Sequence, residues 1–412
     1  MRGGRGNAQI VVSTPRGSLV RAVVSGASIA GLSAAFWLNR IGWQVTVIEQ
    51  AESFRDGGQN VDVRGVAHEV LDRMGLTAAV KARNTTETGT VIVDRDGAVI
   101  AELPSTGDDG ATAELEVLRG DFARCILDAL PAEVRFVYGD DITAVENGHG
   151  PVTVLTRSGQ ELRADLLVVA EGVRSTTRDL VFDDGTILED DLGITMAFGT
   201  IARTEDDDSF WRWYTTTGGR QVHLRPDNHG TTRAILAFAG DHTVLDTPPH
   251  DAVAQLRTIF RDAGWQAPRV LDGFATTDDL YIDRLTQIRA PHWHRARVCL
   301  AGDAGWCVTP IGGGGASLAL TAGYALAAYL STEADIGTAL DAYETWMRPL
   351  VDEVQKLPPG IDHLAYPRSR VGVALSRLAS KAMSSEPLAT LTQRLTDTTG
   401  SERPLPELVA ST

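Results

Sequence analysis

The stretch VVSGASIAGL, Val23–Leu32, constrains this chain more than any other. Arg21–Ser25 reads as a short apolar strand. Ile29–Arg40 reads as a helix, with Ile29, Leu32, Ala35, Phe36 and Leu38 near one side. Gln44–Glu49 is a second strand. Strand, glycine turn, helix and strand within about 30 residues make a parallel unit. Gly26 permits the tight turn, and Gly31 lets helix and strand approach closely. The helix start then suits a pyrophosphate. Ser28 stands where the middle glycine of G-x-G-x-x-G is usual, and it is small enough to allow the approach. Glu49 ends the second strand about 20 residues on, where an acid hydrogen-bonds a ribose diol; the bland alternative is a solvated strand-end carboxylate. Arg55 follows, to meet a phosphate or cap a loop.

Two later segments repeat the pattern of a buried strand running into a glycine turn. In VVAEGVRSTTR, Val168–Arg178, an apolar strand ends at Ala170, Gly172 turns, and Ser175 and Arg178 follow. In the segment from Ala301, a strand is followed by Gly302–Asp303, Pro310, the run Gly312–Gly315 and a helix starting near Ala316. Glycines at a helix start cost backbone entropy, so something must approach the backbone there.

The three motifs, in this order, resemble those of the class A flavoprotein monooxygenases, the FAD-dependent aromatic hydroxylases of the para-hydroxybenzoate hydroxylase fold. Their relatives include tetracycline-inactivating monooxygenases and polyketide-tailoring hydroxylases. The resemblance spans about residues 21–360. It implies an α/β chain: an FAD-binding, Rossmann-like domain with a mixed sheet (21–187 and 291–335), interrupted by an antiparallel β-sheet substrate domain (188–290, with parts of 60–110). A C-terminal helical region (336–412) follows, and 1–20 is expected to be a disordered extension. By position, Asp303 would meet the ribityl chain of FAD, and Gly313 and Gly315 match the glycines after Pro310. Arg119 matches an arginine that reaches the ribityl and phosphate part. Asp62, with Arg64 beside it, resembles an aspartate near the flavin, and Gln50 follows the ribose acid. The implied reaction uses NADPH or NADH and O₂. A flavin C4a-hydroperoxide then passes one oxygen to an aromatic or polyketide-type small molecule.

Three departures stand out. Glu171 replaces the aspartate of the middle motif, Trp306 stands where histidine or tyrosine is common, and Ala322 replaces a frequent aspartate. Glu171 and Trp306 keep open a catalytically silent flavin- or ligand-binding protein. An oxidase, dehydrogenase or halogenase on the same scaffold is the other alternative.

The remaining chain is read more coarsely. Helices are expected at Val66–Met74, Asp121–Leu130, Asp251–Ala263, Thr338–Leu357 and Val371–Met383, and a hairpin around DRDG. The segment VTVLTRSGQELRADLLVVAEG reads as a hairpin whose last strand is Leu166–Ala170. Residues 188–290 alternate as in an antiparallel sheet, with Asp206–Asp208 a solvated turn and the end of the chain, from Thr396, frayed. In FWRWYT, Trp211 and Trp213 match the start of a halogenase W-x-W signature, but threonines follow where Ile-Pro should be. The pair is sheet core or the wall of a substrate cavity. His223 reads as structural, with substrate contact the alternative. His292 and His294 lack a third ligand for a metal.

A net charge of −16 argues against a uniformly basic nucleic-acid binder. Cys125, Cys299 and Cys307 cannot all pair, which points to a reducing, cytoplasmic setting. No segment has the unbroken apolar length of a membrane span. A monomer or homodimer is expected.

Overall fold

The computed structural model describes residues 19–104, 115–148, 150–182, 185–240, 243–357, 360, 364–383 and 403–410. The expected extension 1–20 lies outside them save for its last two residues.

A six-stranded sheet carries all three motifs. Its order is His294–Arg295, Val298–Leu300, Leu166–Val169, Arg21–Ser25, Gln44–Glu49 and Arg135–Tyr138. Every pairing is parallel except that of the short edge strand His294–Arg295. Leu166–Val169 is buried throughout, as a strand covered on both faces must be. Contrary to the sequence reading, it does not belong to the preceding hairpin. Val152–Thr156 and Glu161–Ala164 pair with each other in a separate small sheet, while Leu166–Val169 crosses into the main one. Four neighbouring parallel strands thus end side by side at Leu300, Val169, Ser25 and Glu49. Ligands of open parallel sheets bind at those carboxyl ends.

Helix Ile29–Arg40 packs on this sheet, and helix Gly315–Thr332 packs on it in turn. A Cβ at Gly323 would lie 2.5 Å from the backbone nitrogen of Ala34, so only glycine allows this crossing. Ser33 donates to the Leu320 carbonyl at the same place (2.7 Å).

The second sheet has seven strands in the order Tyr281–Arg289, Leu188–Ala202, Thr231–Ala239, Arg220–Pro226, Phe210–Thr216, Gly89–Val93 and Val99–Pro104. All its pairings are antiparallel except that of Phe210–Thr216 with Gly89–Val93, which is parallel. Tyr214, Val222, Leu224 and Leu236 face helices Pro249–Ile259 and Ala267–Phe274. The second of these helices escapes the sequence reading: Pro268 and Gly273 mask its apolar side, Ala267, Val270, Leu271 and Phe274.

Two further expectations are corrected. The turn Asp206–Asp208 is not simply solvated, because the Asp207 carboxylate is 10% exposed and holds Arg269. The chain end is not frayed throughout its described part. Leu405 and Leu408 pack on the main core, and Pro406 accepts a hydrogen bond from Tyr324 (2.8 Å). Residues 396–402, 411 and 412 lie outside the described residues.

Candidate active site

The first turn is built by two steric exclusions. At Gly26, φ is +103° and a Cβ would lie 2.3 Å from the Ala170 carbonyl oxygen. At Gly31 a Cβ would lie 1.9 Å from the Gly26 carbonyl oxygen. Ser28 occupies the N-cap position of helix Ile29–Arg40 but makes no capping bond, and the first turn carries no acid. Free N–H groups at such a terminus suit an anion. Glu49, 12% exposed, takes the Ala27 N–H on one oxygen (2.8 Å) and the Ala51 N–H on the other (2.9 Å). A carboxylate oxygen has a lone pair left for a second donor. Arg55 lies 3.7 Å from Glu49 and is largely exposed; Gln50 is exposed beside it.

Arg119 opens helix Arg119–Asp128 against the loop before Asn60. A Cβ at Gly120 would lie 1.7 Å from the Asp56 carbonyl oxygen, and one at Gly58 would lie 2.6 Å from Arg119 Nε. The guanidinium donates to the Gly57 carbonyl (3.2 Å) and to Ser28 Oγ (3.4 Å). Asp303 begins the short helix Asp303–Trp306 at the end of strand Val298–Leu300. Both residues are open to solvent, yet burial raises the Asp303 carboxyl and lowers the Arg119 guanidinium. Arg119 opposes the shift of Asp303, and Asp303 and Tyr281 oppose that of Arg119, where Arg55 adds to it. Groups that water reaches but protein surrounds are the walls of a deep cleft.

The glycine run divides by role. Gly313 (φ +67°, ψ −176°) and Gly314 (φ +67°, ψ 0°) adopt conformations that favour glycine. A Cβ at Gly313 would meet nothing within 4 Å, so it borders open space. Gly315, not Ala316, begins the long helix. Pro310 sits at the start of the turn Thr309–Gly312. Ser317, in the first turn of the long helix, donates to the Asp62 carbonyl (3.0 Å) and accepts from the Arg64 N–H (2.9 Å). The Arg64 guanidinium also holds the Asp62 carboxylate (2.7 Å). The structure thus brings Asp62 and Arg64 to the helix start beside the glycines.

The donor set fits FAD from end to end: an uncapped helix terminus, an acid at the second strand, a cation and an acid across a cleft, and glycine-lined open space. The three departures are also accounted for. Glu171 accepts from Ser25 Oγ, Ser175 Oγ (2.7 Å), the Thr177 N–H (3.0 Å) and Thr177 Oγ1 (2.6 Å). It is a staple between the first motif and helix Thr176–Phe182. Arg178, buried, donates to the carbonyls of Val173 (2.9 Å) and Ala304 (3.4 Å), tying the second motif to the third. Trp306 is core, its ring 4.2 Å from that of Trp293, and Ala322 is buried in the long helix.

On the sheet face away from its helices, the register sets Ile92, Trp213, His223, Ile235, Phe198 and Tyr281 in one row across six strands. Trp211 and Trp213 stack with centroids 5.1 Å apart. Trp211 Nε1 donates to His223 Nδ1 (3.1 Å), which makes His223 Nε2 the protonated nitrogen facing Gln221 Oε1 (3.0 Å). Burial, with Arg225 adding to it, lowers the His223 pKa to about 3. Both ring nitrogens are therefore bonded within the wall.

The sequence reading misses Tyr281, Ser317 and a buried ionic cluster. In that cluster Arg225 holds Glu87 (2.9 Å) and Glu116. Gln221, His223 and Arg225 alternate on one side of a strand, and that spacing was the available signal.

The FAD binding domain family matches residues 20–357. The chain belongs to that family. It is 33% identical to the flavin-dependent monooxygenase eupH of a Phoma species, over 86% of this chain and 89% of that protein. It is 34% identical to the uncharacterized protein Rv1260 of Mycobacterium tuberculosis, over 76% of this chain and 85% of that one. Among solved structures it resembles the tetracycline destructase Tet(51), with a TM-score of 0.80 and 25% identity, over 95% of this chain and all of that one. The protein is an FAD-dependent monooxygenase of the para-hydroxybenzoate hydroxylase-like fold. No described helix is long and apolar enough to cross a membrane.

Proposed function

We propose that the protein uses NADPH or NADH, with O₂, to hydroxylate an aromatic, phenolic or polyketide-type small molecule. In this reading 188–290 forms the substrate domain and 21–187 with 291–335 the cofactor domain. The protein works in the cytoplasm as a monomer or homodimer. Gly26, Ser28 and Gly31 shape the pyrophosphate turn, and Glu49 takes the ribose, flanked by Gln50 and Arg55. Arg119 and Asp303 hold the middle of the cofactor. Asp62, Arg64, Pro310, Gly313, Gly315 and Ala316 border its ring. FAD, when bound by these residues, would supply the redox chemistry between nicotinamide and O₂.

The observation that carries the substrate class is the row from Trp213 to Tyr281. It presents flat rings and apolar side chains, and its one imidazole is neutral and internally bonded. Such a wall suits a planar, uncharged ring system. The sheet excludes water and orients substrate, and Trp211, Trp213 and His223 stiffen it.

The test is the visible spectrum of the purified protein, repeated anaerobically with NADPH, with and without a phenolic compound. A flavin spectrum that bleaches, faster with the phenol present, is expected. A colourless protein that FAD does not reconstitute overturns the reading.

A further inference from the structure

Tyr366 lies outside every motif, yet the fold delivers it to the substrate wall. The backbone on either side of it is sewn to the strand Arg220–Pro226 and the turn before it. Gly218 and Gly219 donate to the carbonyls of Arg368 (3.0 Å) and Pro367 (3.1 Å), and Gln221 Nε2 donates to the Ala365 carbonyl. The ring is 4% exposed among Ile194, Met196, Ile235, Ala237 and Leu285. Ile311, next to Pro310 in the glycine turn, packs against the same cluster.

Tyr366 is buried, and its hydroxyl makes no hydrogen bond among the described residues. Burial pushes the phenol up with no charged or hydrogen-bonding neighbour adding to the shift, so it stays protonated. Three other polar groups on this face are spent, while the Thr90 hydroxyl, in register with Trp211, is sealed without a partner. Trp211, His223 and Gln221 bond to one another, and the Trp213 N–H, which lacks a partner, is sealed within its stack. A hydroxyl in apolar surroundings needs a partner, and phenylalanine would fill the space without that need. We infer that the Tyr366 hydroxyl hydrogen-bonds an oxygen of the bound substrate, a phenolic hydroxyl or ring carbonyl, and so selects oxygenated aromatic rings over bare ones. The inference rests on the proposed function, because it needs a planar substrate between the sheet and the turn at Pro310.

Equilibrium dialysis of the flavin-containing protein and its Tyr366→Phe variant against 2-naphthol and naphthalene tests it. Phenylalanine keeps the packing, and equal thermal midpoints and flavin content for the two proteins establish that. Loss of one neutral hydrogen bond is expected to weaken 2-naphthol binding about fivefold to tenfold and leave naphthalene binding unchanged. Equal losses for both compounds, no loss for 2-naphthol, or no binding of 2-naphthol to the unaltered protein overturns the role of Tyr366. If flavin is bound and bleaches with NADPH in those cases, the proposed function survives; a colourless protein removes both.

Discussion

The guanidinium of Arg225 lies 4.1 Å above the ring of Trp211 while its nitrogens hold Glu87 and Glu116. One cation thus anchors the stacked tryptophans and holds the buried acids behind them. Arg225→Met would leave Glu87 buried without its counter-charge and Glu116 without its donor. Removing one partner of a buried ion pair costs about 3–5 kcal/mol. Urea unfolding should show a loss of that size, with Trp211 fluorescence altered in the folded state. An unchanged midpoint would mean that the cluster is not formed.

Burial favours the protonated form of Glu116 in the folded protein. Its Oε2 lacks a donor among the described residues, and a hydrogen bond with Asn60 opposes the rise of its pKa. Burial raises the Glu116 pKa from 4.5 to about 8, opposed by Arg225 and assisted by Glu87 and Asp62. A raised carboxyl pKa means that the unfolded chain ionises first. Stability should therefore fall as pH rises from about 4.5 to about 8 and level off above. Glu116→Gln should flatten that part of the curve. Parallel curves for the two proteins would show that Glu116 is ionised throughout.

His223 should behave in the opposite sense. Its folded pKa of about 3 lies below the ordinary 6.5, so its contribution is complete above 6.5 and is lost as pH falls toward 3. Nitrogen NMR shifts of the ring should report a neutral imidazole, protonated at Nε2, at pH 5. A charged His223 at that pH would mean that Trp211 does not donate to it.

The two glycine contacts differ in kind, and alanine separates them. Gly323→Ala forces a Cβ into the backbone of helix Ile29–Arg40 and should destabilise the fold by about 3 kcal/mol or more, by overpacking. Gly313→Ala meets open space, so its cost is the backbone strain, about 1–3 kcal/mol. Its larger effect should be on FAD affinity, read by flavin release on dialysis. Unimpaired FAD retention by Gly313→Ala would move the ring away from that glycine.

The motifs were legible because each is local: a strand, a turn and a helix within a few tens of residues, with glycines at the positions where a side chain cannot fit. Their convergence was not local, but it follows from parallel strands ending side by side. What escaped was set by distant partners. Ala365, beside Tyr366, meets Gln221, and Ser317 meets Asp62 and Arg64, across long stretches of chain. The hairpin reading of Leu166–Val169 fails because its apolar run shows burial on both faces but does not reveal its neighbour. Helix Ala267–Phe274 was masked by a proline that helices accept in their first turn.

Glu171 offers the test of whether a departure from the family motif is chemical or structural. Its longer side chain reaches Ser25 Oγ, at the end of the first strand, while also serving Ser175 and Thr177. Aspartate is one methylene shorter. With the backbone unchanged, Glu171→Asp can keep the bonds at the start of helix Thr176–Phe182 but must surrender the one to Ser25. Losing a hydrogen bond to a charged group costs about 1.5–3 kcal/mol. Thermal unfolding should show that loss, because the staple joins the first and second motifs. The rate of flavin reduction by NADPH should stay within about twofold, less than 1 kcal/mol of barrier, since no bond of Glu171 points into the cleft. A large fall in that rate with stability unchanged would place Glu171 in the nicotinamide reaction instead.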